Sequence, residues 1–208
     1  MSNTDAVSPP DDKASRHLRI TQPSPWVLRW AHLIEPGGAV LDLAAGGGRH
    51  GRWLLDHGHP ITFVDRTTEP LEDLTEQDGA EVIKADLENS PTWPLGDRRF
   101  AAVIVVNYLH RDLFPQLMAS LQPGGVLIYE TFARGNEGYS RPRNPDHLLK
   151  SGELLDAVHD KLQVVAFEHG QVTNADIPGI KQRLCAVNDL SLSEREDGDP
   201  PTHALPQI

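Results

Sequence analysis

The stretch Val40-Leu-Asp-Leu-Ala-Ala-Gly-Gly-Gly-Arg-His-Gly51 joins an apolar run to three consecutive glycines, and a helix-like segment from Arg49 to His57 follows. A buried strand, a glycine-rich turn and a helix in this order form the nucleotide-binding turn of open α/β sheets. The glycines let the backbone approach a ligand closely, and the helix N-terminus presents free N–H groups. The stretch contains Gly46-x-Gly48-x-x-Gly51, which matches the dinucleotide fingerprint but is a weak signal alone.

Strand-like and helix-like segments alternate along the chain, which predicts an α/β protein: a doubly wound, mostly parallel seven-stranded sheet with helices on both faces. The predicted strands cover residues 39–44, 60–64, 80–85, 100–106, 126–132, 162–168 and 181–187. The first predicted helix begins at Ser24 or Pro25 and ends at about Ile34. The other predicted helices cover residues 49–57, 67–74, a segment that ends at Leu121, and 146–158.

Composition predicts one folded domain, over residues 23–189, between disordered tails over 1–22 and 190–208, which are polar, acidic or Pro-rich. The formal net charge of −11 argues against nucleic acid as a partner. The single cysteine, Cys185, excludes an internal disulfide. Because no leader or membrane-spanning apolar run is found, we expect a cytoplasmic protein without a membrane partner. No cluster has metal-ligand spacing, so no metal is expected.

Three carboxylates at strand ends indicate which ligand the glycine turn holds. Asp42 lies in the strand before the glycines, where it would repel a pyrophosphate and attract a cation. Asp65 ends the next strand, where it can accept from a ribose diol, and this fits both candidate cofactors. Asp86 ends the third strand, where it can accept from an adenine amino group. Together they favour S-adenosylmethionine (SAM), which carries an ammonium and a sulfonium but no phosphate, over a nicotinamide dinucleotide.

Val40-Leu-Asp-Leu-Ala-Ala-Gly-Gly-Gly-Arg49 resembles the glycine motif of class I SAM-dependent methyltransferases. Asp65, Ala85-Asp86-Leu87, the strand ending in Asn107, and Leu121-Gln-Pro-Gly-Gly-Val-Leu-Ile-Tyr129 fall where later motifs of that superfamily fall. The layout is most similar to the small tellurite-resistance and thiopurine-type methyltransferases. The resemblance implies the Rossmann-like methyltransferase fold, SAM as cofactor, and cofactor-binding residues Asp42, Ala44, Ala45, Gly46, Gly48, Asp65, Arg66, Asp86, Leu87 and Asn107.

Two positions depart from that pattern. Ala44 stands where the superfamily usually has its first glycine, and Asn107-Tyr-Leu-His110 replaces the signature of DNA amino-group methyltransferases. Asn107, Tyr108 and His110 are nevertheless the candidate catalytic residues, because they follow the fourth strand at the carboxyl edge. His110 would act as a general base if the acceptor is protonated, and Tyr108 would line the pocket. The alternatives are a surface histidine and ordinary packing.

The loop from Arg134 to Arg143 contains three arginines on an acidic chain, which predicts a lid over an anionic or planar acceptor. A solvated loop is the alternative. The candidate substrate-binding residues are Glu130, Arg134, Tyr139, Arg141 and Arg143. The sequence thus predicts a methyltransferase acting on a small molecule. Three alternatives stay open: methylation of RNA or protein through this loop, a non-catalytic SAM-binding regulatory domain, and an NAD(P) oxidoreductase. The sequence does not identify the accepting atom or the oligomeric state.

Overall fold

The structure, a computed structural model, describes residues 20–90, 92–173, 177–193 and 197–206. Within these ranges the strands are β1 (Val40–Leu43), β2 (Ile61–Asp65), β3 (Ala80–Lys84), β4 (Phe100–Val106), β5 (Leu121–Phe132), β6 (Gln163–Val172) and β7 (Gly179–Val187). The α-helices are α1 (Pro25–Trp30), α2 (Arg49–Asp56), α3 (Phe114–Ala119) and α4 (Glu153–Val158). Short 3₁₀ helices cover Ala31–Leu33, Glu69–Leu74, Arg111–Leu113, Asn136–Gly138 and Pro145–His147.

The strands form a seven-stranded sheet in the order β3-β2-β1-β4-β5-β7-β6. Pairing is parallel from β3 through β5, whereas β7 runs antiparallel to both of its neighbours. The predicted doubly wound fold is therefore confirmed. Because the carboxyl ends of the parallel strands meet at one edge, the glycine turn after β1 and the residues after β2 and β4 lie along the same edge.

Helices cover both faces of the sheet, and each face has its own apolar core. On one face α1 and α2 pack against alternate residues of the central strands, including Val40, Ile104 and Ile128. On the other face α3 and α4 pack against the intervening residues, including Leu41 and Val105. Every residue of β4 is buried, as expected for a central parallel strand.

Two helix predictions were wrong in part. Residues 146–158 form α4 only from Glu153 onward, because Leu149 forms an isolated parallel bridge with Ala133, the residue after β5. Its N–H donates to the Phe132 carbonyl and its carbonyl accepts from the Arg134 N–H, at 2.9 Å each. Gly152 adopts a left-handed conformation (φ +74°) and starts the shorter helix. The predicted helix over 67–74 is a 3₁₀ helix over Glu69–Leu74.

Most of the predicted N-terminal tail lies outside the described residues. In the C-terminal segment, His203 Nε2 lies 2.6 Å from Asp189 Oδ2, and the Ala204 carbonyl lies 3.1 Å from His32 Nε2. The tail boundaries stay predictions. Among the helices in the described ranges, none has the length and apolarity to cross a bilayer.

Gly51 in α2 lies so close to β2 that an added Cβ would be 2.2 Å from Phe63 Cε1. We expect Gly51→Ala to lower the free energy of unfolding by about 1–3 kcal/mol, because an extra methyl group in a filled core forces its neighbours apart. Urea denaturation measures this loss. Gly138→Ala is the matched control, since a Cβ there meets nothing within 4 Å. Equal losses in the two variants would contradict the packing role of Gly51.

Candidate active site at the carboxyl edge

The glycine turn after β1 follows an unusual backbone path. Ala44, Gly46 and Gly48 all have positive φ, at +53°, +58° and +72°. Glycine adopts this conformation without strain, whereas Ala44 adopts it despite its Cβ. An added Cβ at Gly48 would also lie 2.7 Å from Leu71 Cδ2. The turn therefore packs closely against its neighbours. Its backbone conformation is formed with alanine at the position where the superfamily usually has its first glycine.

Asp65, the last residue of β2, is fixed against this turn. Its Oδ2 accepts from the Gly46 N–H at 2.8 Å, and its Oδ1 accepts from the Thr67 N–H at 2.9 Å. Each carboxylate oxygen can accept a second hydrogen bond. A pair of ligand hydroxyls can thus be bound without displacing the backbone donors. The half-buried position of Asp65 at the sheet edge fits a ribose.

Asp42 is buried in β1 beneath the glycine turn, with 2% of its surface exposed. Its Oδ2 accepts from the Gly51 N–H at 2.9 Å, so it anchors the start of α2. Burial raises the pKa of this carboxyl from its ordinary value of 3.8 to about 7, although the Gly51 hydrogen bond and Arg49 lower it. A ligand cation next to Asp42 would favour the ionised form. This chemistry fits the ammonium of SAM.

Asp86, after β3, uses its carboxylate to cap its own turn. It accepts from the backbone N–H groups of Glu88 at 3.0 Å and Asn89 at 3.1 Å, and from Asn89 Nδ2 at 2.9 Å. These hydrogen bonds, that of the Asn89 side chain above all, lower the pKa of Asp86. In the structure the Asp86 carboxylate thus stabilises its own turn, and its role toward adenine stays a prediction. Leu87 is half-buried and packs on the core, and Arg66 is exposed.

Asn107, directly after β4, also has a positive φ of +57°. Its N–H donates to the Glu130 carbonyl at 2.8 Å, and its Oδ1 accepts from Lys181 Nζ at 3.0 Å. Tyr108 is half-buried, and burial raises the pKa of its hydroxyl, with the nearby Glu88 and Asp86 adding to the rise. His110 is half-exposed and makes no side-chain capping bond to the next helical turn. Its role as a base stays a prediction.

Glu130 is the centre of a buried charged cluster that sequence reasoning missed. Its carboxylate accepts from Ser24 Oγ at 2.8 Å and from Lys181 Nζ at 2.5 Å, and Arg183 Nε lies 3.1 Å away. The Glu130 and Lys181 side chains are only 1% and 2% exposed. Glu130 therefore pairs with Lys181 and Arg183 of β7. Among the described residues, none of the arginines in the loop from Arg134 to Arg143 forms an ion pair with it. Lys181 and Arg183 in a mainly apolar strand-like segment were the available signal.

His50, the second residue of α2, is a further buried polar group near this cluster. It is 5% exposed, and its Nε2 has no hydrogen-bond partner among the described residues. Burial lowers the pKa of His50 to about 3, and the nearby Arg49 and Lys181 lower it further. The ring is therefore neutral at pH 7. Nothing in its sequence context distinguished His50 from a surface histidine.

The arginine loop is held in place by Asn136, which is fully buried. Asn136 Oδ1 accepts from the Ile180 N–H at 3.0 Å, and its Nδ2 donates to the Pro142 carbonyl at 2.9 Å. Arg134 pairs with Glu137 inside the loop, with Nε 2.8 Å from Oε1. The remaining candidates in the loop are exposed: Tyr139, Arg141 and Arg143. The loop is thus tied to the start of β7, and two of its arginines face solvent.

A polar cleft of about 610 Å³ opens beside the Glu130 cluster, between α1 and the β6–β7 hairpin. Trp26 and Arg29 of α1 form one side, and residues 168–173 form the other. Lys181 and Arg183 of β7 also line it. Because Lys181 Nζ donates to Asn107 Oδ1, the cleft adjoins the end of β4. Among the described residues, no group of His, Cys, Asp or Glu is arranged to hold a metal ion.

Methyltransferases are found among both the protein families and the solved structures that resemble this chain. Residues 40–125 match the family described as a methyltransferase domain. None of the curated proteins compared with the chain matches it. The fold is similar to that of TehB from Haemophilus influenzae, with a TM-score of 0.62 and 16% identity, over 78% of this chain and 61% of that chain.

Two further solved structures have the same fold. A SAM-dependent methyltransferase from Mesorhizobium loti has a TM-score of 0.59 and 17% identity, over 76% of this chain and 94% of that one. The glycopeptide N-methyltransferase MtfA, in complex with S-adenosyl-L-homocysteine, has a TM-score of 0.55 and 20% identity, over 78% and 88%. At these identities the likeness is one of fold.

Proposed function

We propose that the chain is a class I SAM-dependent methyltransferase and that it methylates a small-molecule acceptor bound beside Asn107 and Lys181. The methyltransferase-domain match over residues 40–125 supports this activity. The observation that carries this proposal is the cleft of about 610 Å³ that adjoins the end of β4 through Lys181. Its volume lies in the range of roughly 300–1,000 Å³ that is typical of small-molecule sites. The net charge of −11 also disfavours an acceptor with a phosphate backbone.

The cofactor-binding residues are proposed in the roles that their positions support. The methionine part of SAM would lie beside Ala44, Ala45, Gly46 and Gly48, where positive φ angles bend the backbone away. Asp42 would bind the ammonium, and Asp65 would accept from the ribose hydroxyls. Leu87, on the turn that Asp86 caps, would adjoin the adenine end together with Asp86. Arg66, directly after Asp65, would lie near the same end. In this arrangement the sulfonium would lie next to Asn107.

SAM, when bound, supplies a methyl group already activated for in-line displacement. The chain's own contribution is then mainly alignment of the acceptor and exclusion of water. Lys181 would hold the Asn107 side chain in place through its 3.0 Å hydrogen bond. His110 would accept a proton only from an acceptor that is protonated near neutrality, such as an alcohol or an amine. An ionised acceptor, such as a thiolate, requires no base.

The test is incubation of cell extract with the protein and methyl-labelled SAM, followed by mass spectrometry of separated metabolites, RNA and protein. We expect label in a metabolite. Asp65→Asn tests the cofactor site. We expect this variant to bind SAM about 10- to 100-fold more weakly, because a charged acceptor of hydrogen bonds is lost. Calorimetry measures this affinity, with Glu69→Gln at an exposed ion pair as the matched variant.

The other outcomes would each overturn part of the proposal. Label in RNA or protein would contradict a small-molecule acceptor and would favour a role for the exposed Arg141 and Arg143. Tight SAM binding without transfer to any fraction would indicate a regulatory domain. Unchanged SAM affinity in Asp65→Asn would remove the proposed role of that carboxylate.

A further inference from the structure

We propose that the cleft between α1 and the β6–β7 hairpin binds the acceptor through a single carboxylate group, with Arg183 and Arg29 as the recognising side chains. This inference rests on the proposed function, since it names the chemical class of the acceptor for the same site. It also moves anion recognition from the arginine loop to the cleft, because Arg183 has a buried donor without a partner among the described residues, whereas the loop arginines are exposed.

The charges around the cleft favour a monoanion. Three cations line the cleft: Arg29, Lys181 and Arg183. Two carboxylates pair with them: Glu168, which also lines the cleft, and the buried Glu130. Among the described Lys, Arg, Asp and Glu residues of the cleft, cations therefore exceed carboxylates by one. A group with one negative charge neutralises this excess, whereas a phosphate dianion would reverse it. Guanidinium groups bind carboxylates through two parallel hydrogen bonds, which suits a carboxylate over a spherical anion.

Arg183 has spare donors for this purpose. Its Nη2 is buried and has no hydrogen-bond partner among the described residues. Its Nη1 lies 3.3 Å from a Glu168 oxygen, and its Nε lies 3.1 Å from Glu130 without a well-aligned hydrogen bond. A buried cationic donor without an acceptor costs free energy. An acceptor group that enters the cleft and pairs with this guanidinium would recover that cost.

Glu168 already shows how a carboxylate can bridge the two arginines. Its Oε1 lies 3.0 Å from Arg29 Nη1, and its Oε2 lies 3.3 Å from Arg183 Nη1. The side chains of Arg29 and Glu168 are 42% and 45% exposed, so this bridge is open to solvent and weak. A ligand carboxylate can compete for the same two guanidinium groups. Removing the charge of Glu168 should therefore strengthen binding of the ligand.

Lys181 connects this recognition site to the reacting end of the sheet. Its side chain lines the cleft, and its Nζ donates to Asn107 Oδ1 at 3.0 Å. An acceptor held by its carboxylate at Arg183 would thus extend past Lys181 toward Asn107. This arrangement separates the group that is recognised from the atom that is methylated.

The test uses the full chain with S-adenosylhomocysteine and three probes, acetate, benzoate and phenylacetate, each compared with its primary amide. Calorimetry gives the dissociation constants, and the NMR signal of the Trp26 indole N–H reports occupation of the cleft. We expect at least one carboxylate to bind about tenfold more tightly than its amide. Glu168→Gln should tighten that binding, and Arg29→Gln and Arg183→Gln should weaken it several-fold.

Arg98→Gln is the matched control, because Arg98 forms a comparable ion pair with Glu81 far from the cleft, at 44% and 49% exposure. Arg29→Gln keeps the test valid if Arg183→Gln fails to fold. The inference is overturned if no carboxylate binds better than its amide, or if Arg29→Gln and Arg98→Gln have equal effects. The acceptor found with labelled SAM separates the two proposals. If the labelled product is a neutral metabolite, and its acceptor has the same KM in the wild-type protein and in Arg29→Gln, this inference alone is rejected. If the label is found in RNA or protein, the proposed function is rejected.

Discussion

Replacement of Lys181 by methionine is expected to lower the free energy of unfolding by about 3–5 kcal/mol, because it leaves the Glu130 carboxylate buried without its closest cation. Lys181 and Glu130 lie on neighbouring strands, and both side chains are almost fully buried. In the folded protein the ammonium holds the pKa of Glu130 below its ordinary value against the opposing effect of burial. Ser24 and Arg183 compensate only part of the loss.

Urea denaturation of the wild-type and variant proteins measures this effect. The double variant Glu130→Gln with Lys181→Met should recover a large part of the stability, since it removes both charges and leaves a neutral hydrogen-bonding group. Arg29→Gln, at a half-exposed ion pair, is the control and should cost less than about 1 kcal/mol. A loss in Lys181→Met no larger than in Arg29→Gln would show that the buried pair does not stabilise the fold.

The second large effect concerns pH. Replacement of Asp42 by asparagine is expected to raise the free energy of unfolding of the ligand-free protein by up to about 4 kcal/mol at pH 8, with little change near pH 4. Burial raises the pKa of Asp42 from 3.8 to about 7, so the folded protein keeps a proton that the unfolded chain releases between these values. The wild-type protein therefore loses stability as the pH rises through this window. Asparagine is neutral throughout and avoids the loss.

Urea denaturation from pH 4.5 to 8.5 checks this prediction, and a difference between the two proteins that does not grow with pH would contradict it. Asp73→Asn is the control and should show no such trend over this range, because hydrogen bonds from Arg52 lower the pKa of Asp73 below its ordinary value of 3.8, so this carboxyl titrates below pH 4.5. Calorimetry with SAM completes the experiment. If Asp42 binds the ammonium, the more stable variant should bind SAM more weakly.

Features that depend on local sequence were predictable. The uniform apolar run of residues 100–106 predicted β4 with its observed bounds. Asp42 and Asp65 were expected at one sheet edge because parallel strands end together, and the structure has them on either side of the glycine turn.

Features that depend on long-range register were not predictable. The Glu130–Lys181 pair requires β7 to run antiparallel to β5, with Arg183 opposite Glu130. No local pattern fixes that register before the sheet is known. Leu149 was expected in a helix because its neighbours have helical spacing, yet its backbone pairs with the end of β5. Tertiary pairing of this kind overrides local propensity.

The antiparallel insertion of β7 between β5 and β6 also affects how the protein is made. Residues of the glycine turn and of β4 leave the ribosome long before β7, because β7 is the last strand of the sheet in sequence. Until β7 is synthesised, β5 has an open edge and Glu130 lacks Lys181 and Arg183. The cofactor half of the site can thus form during synthesis, whereas the cleft closes only when nearly the whole domain has emerged. The proposed acceptor cleft is therefore the part of the site that is completed last during synthesis.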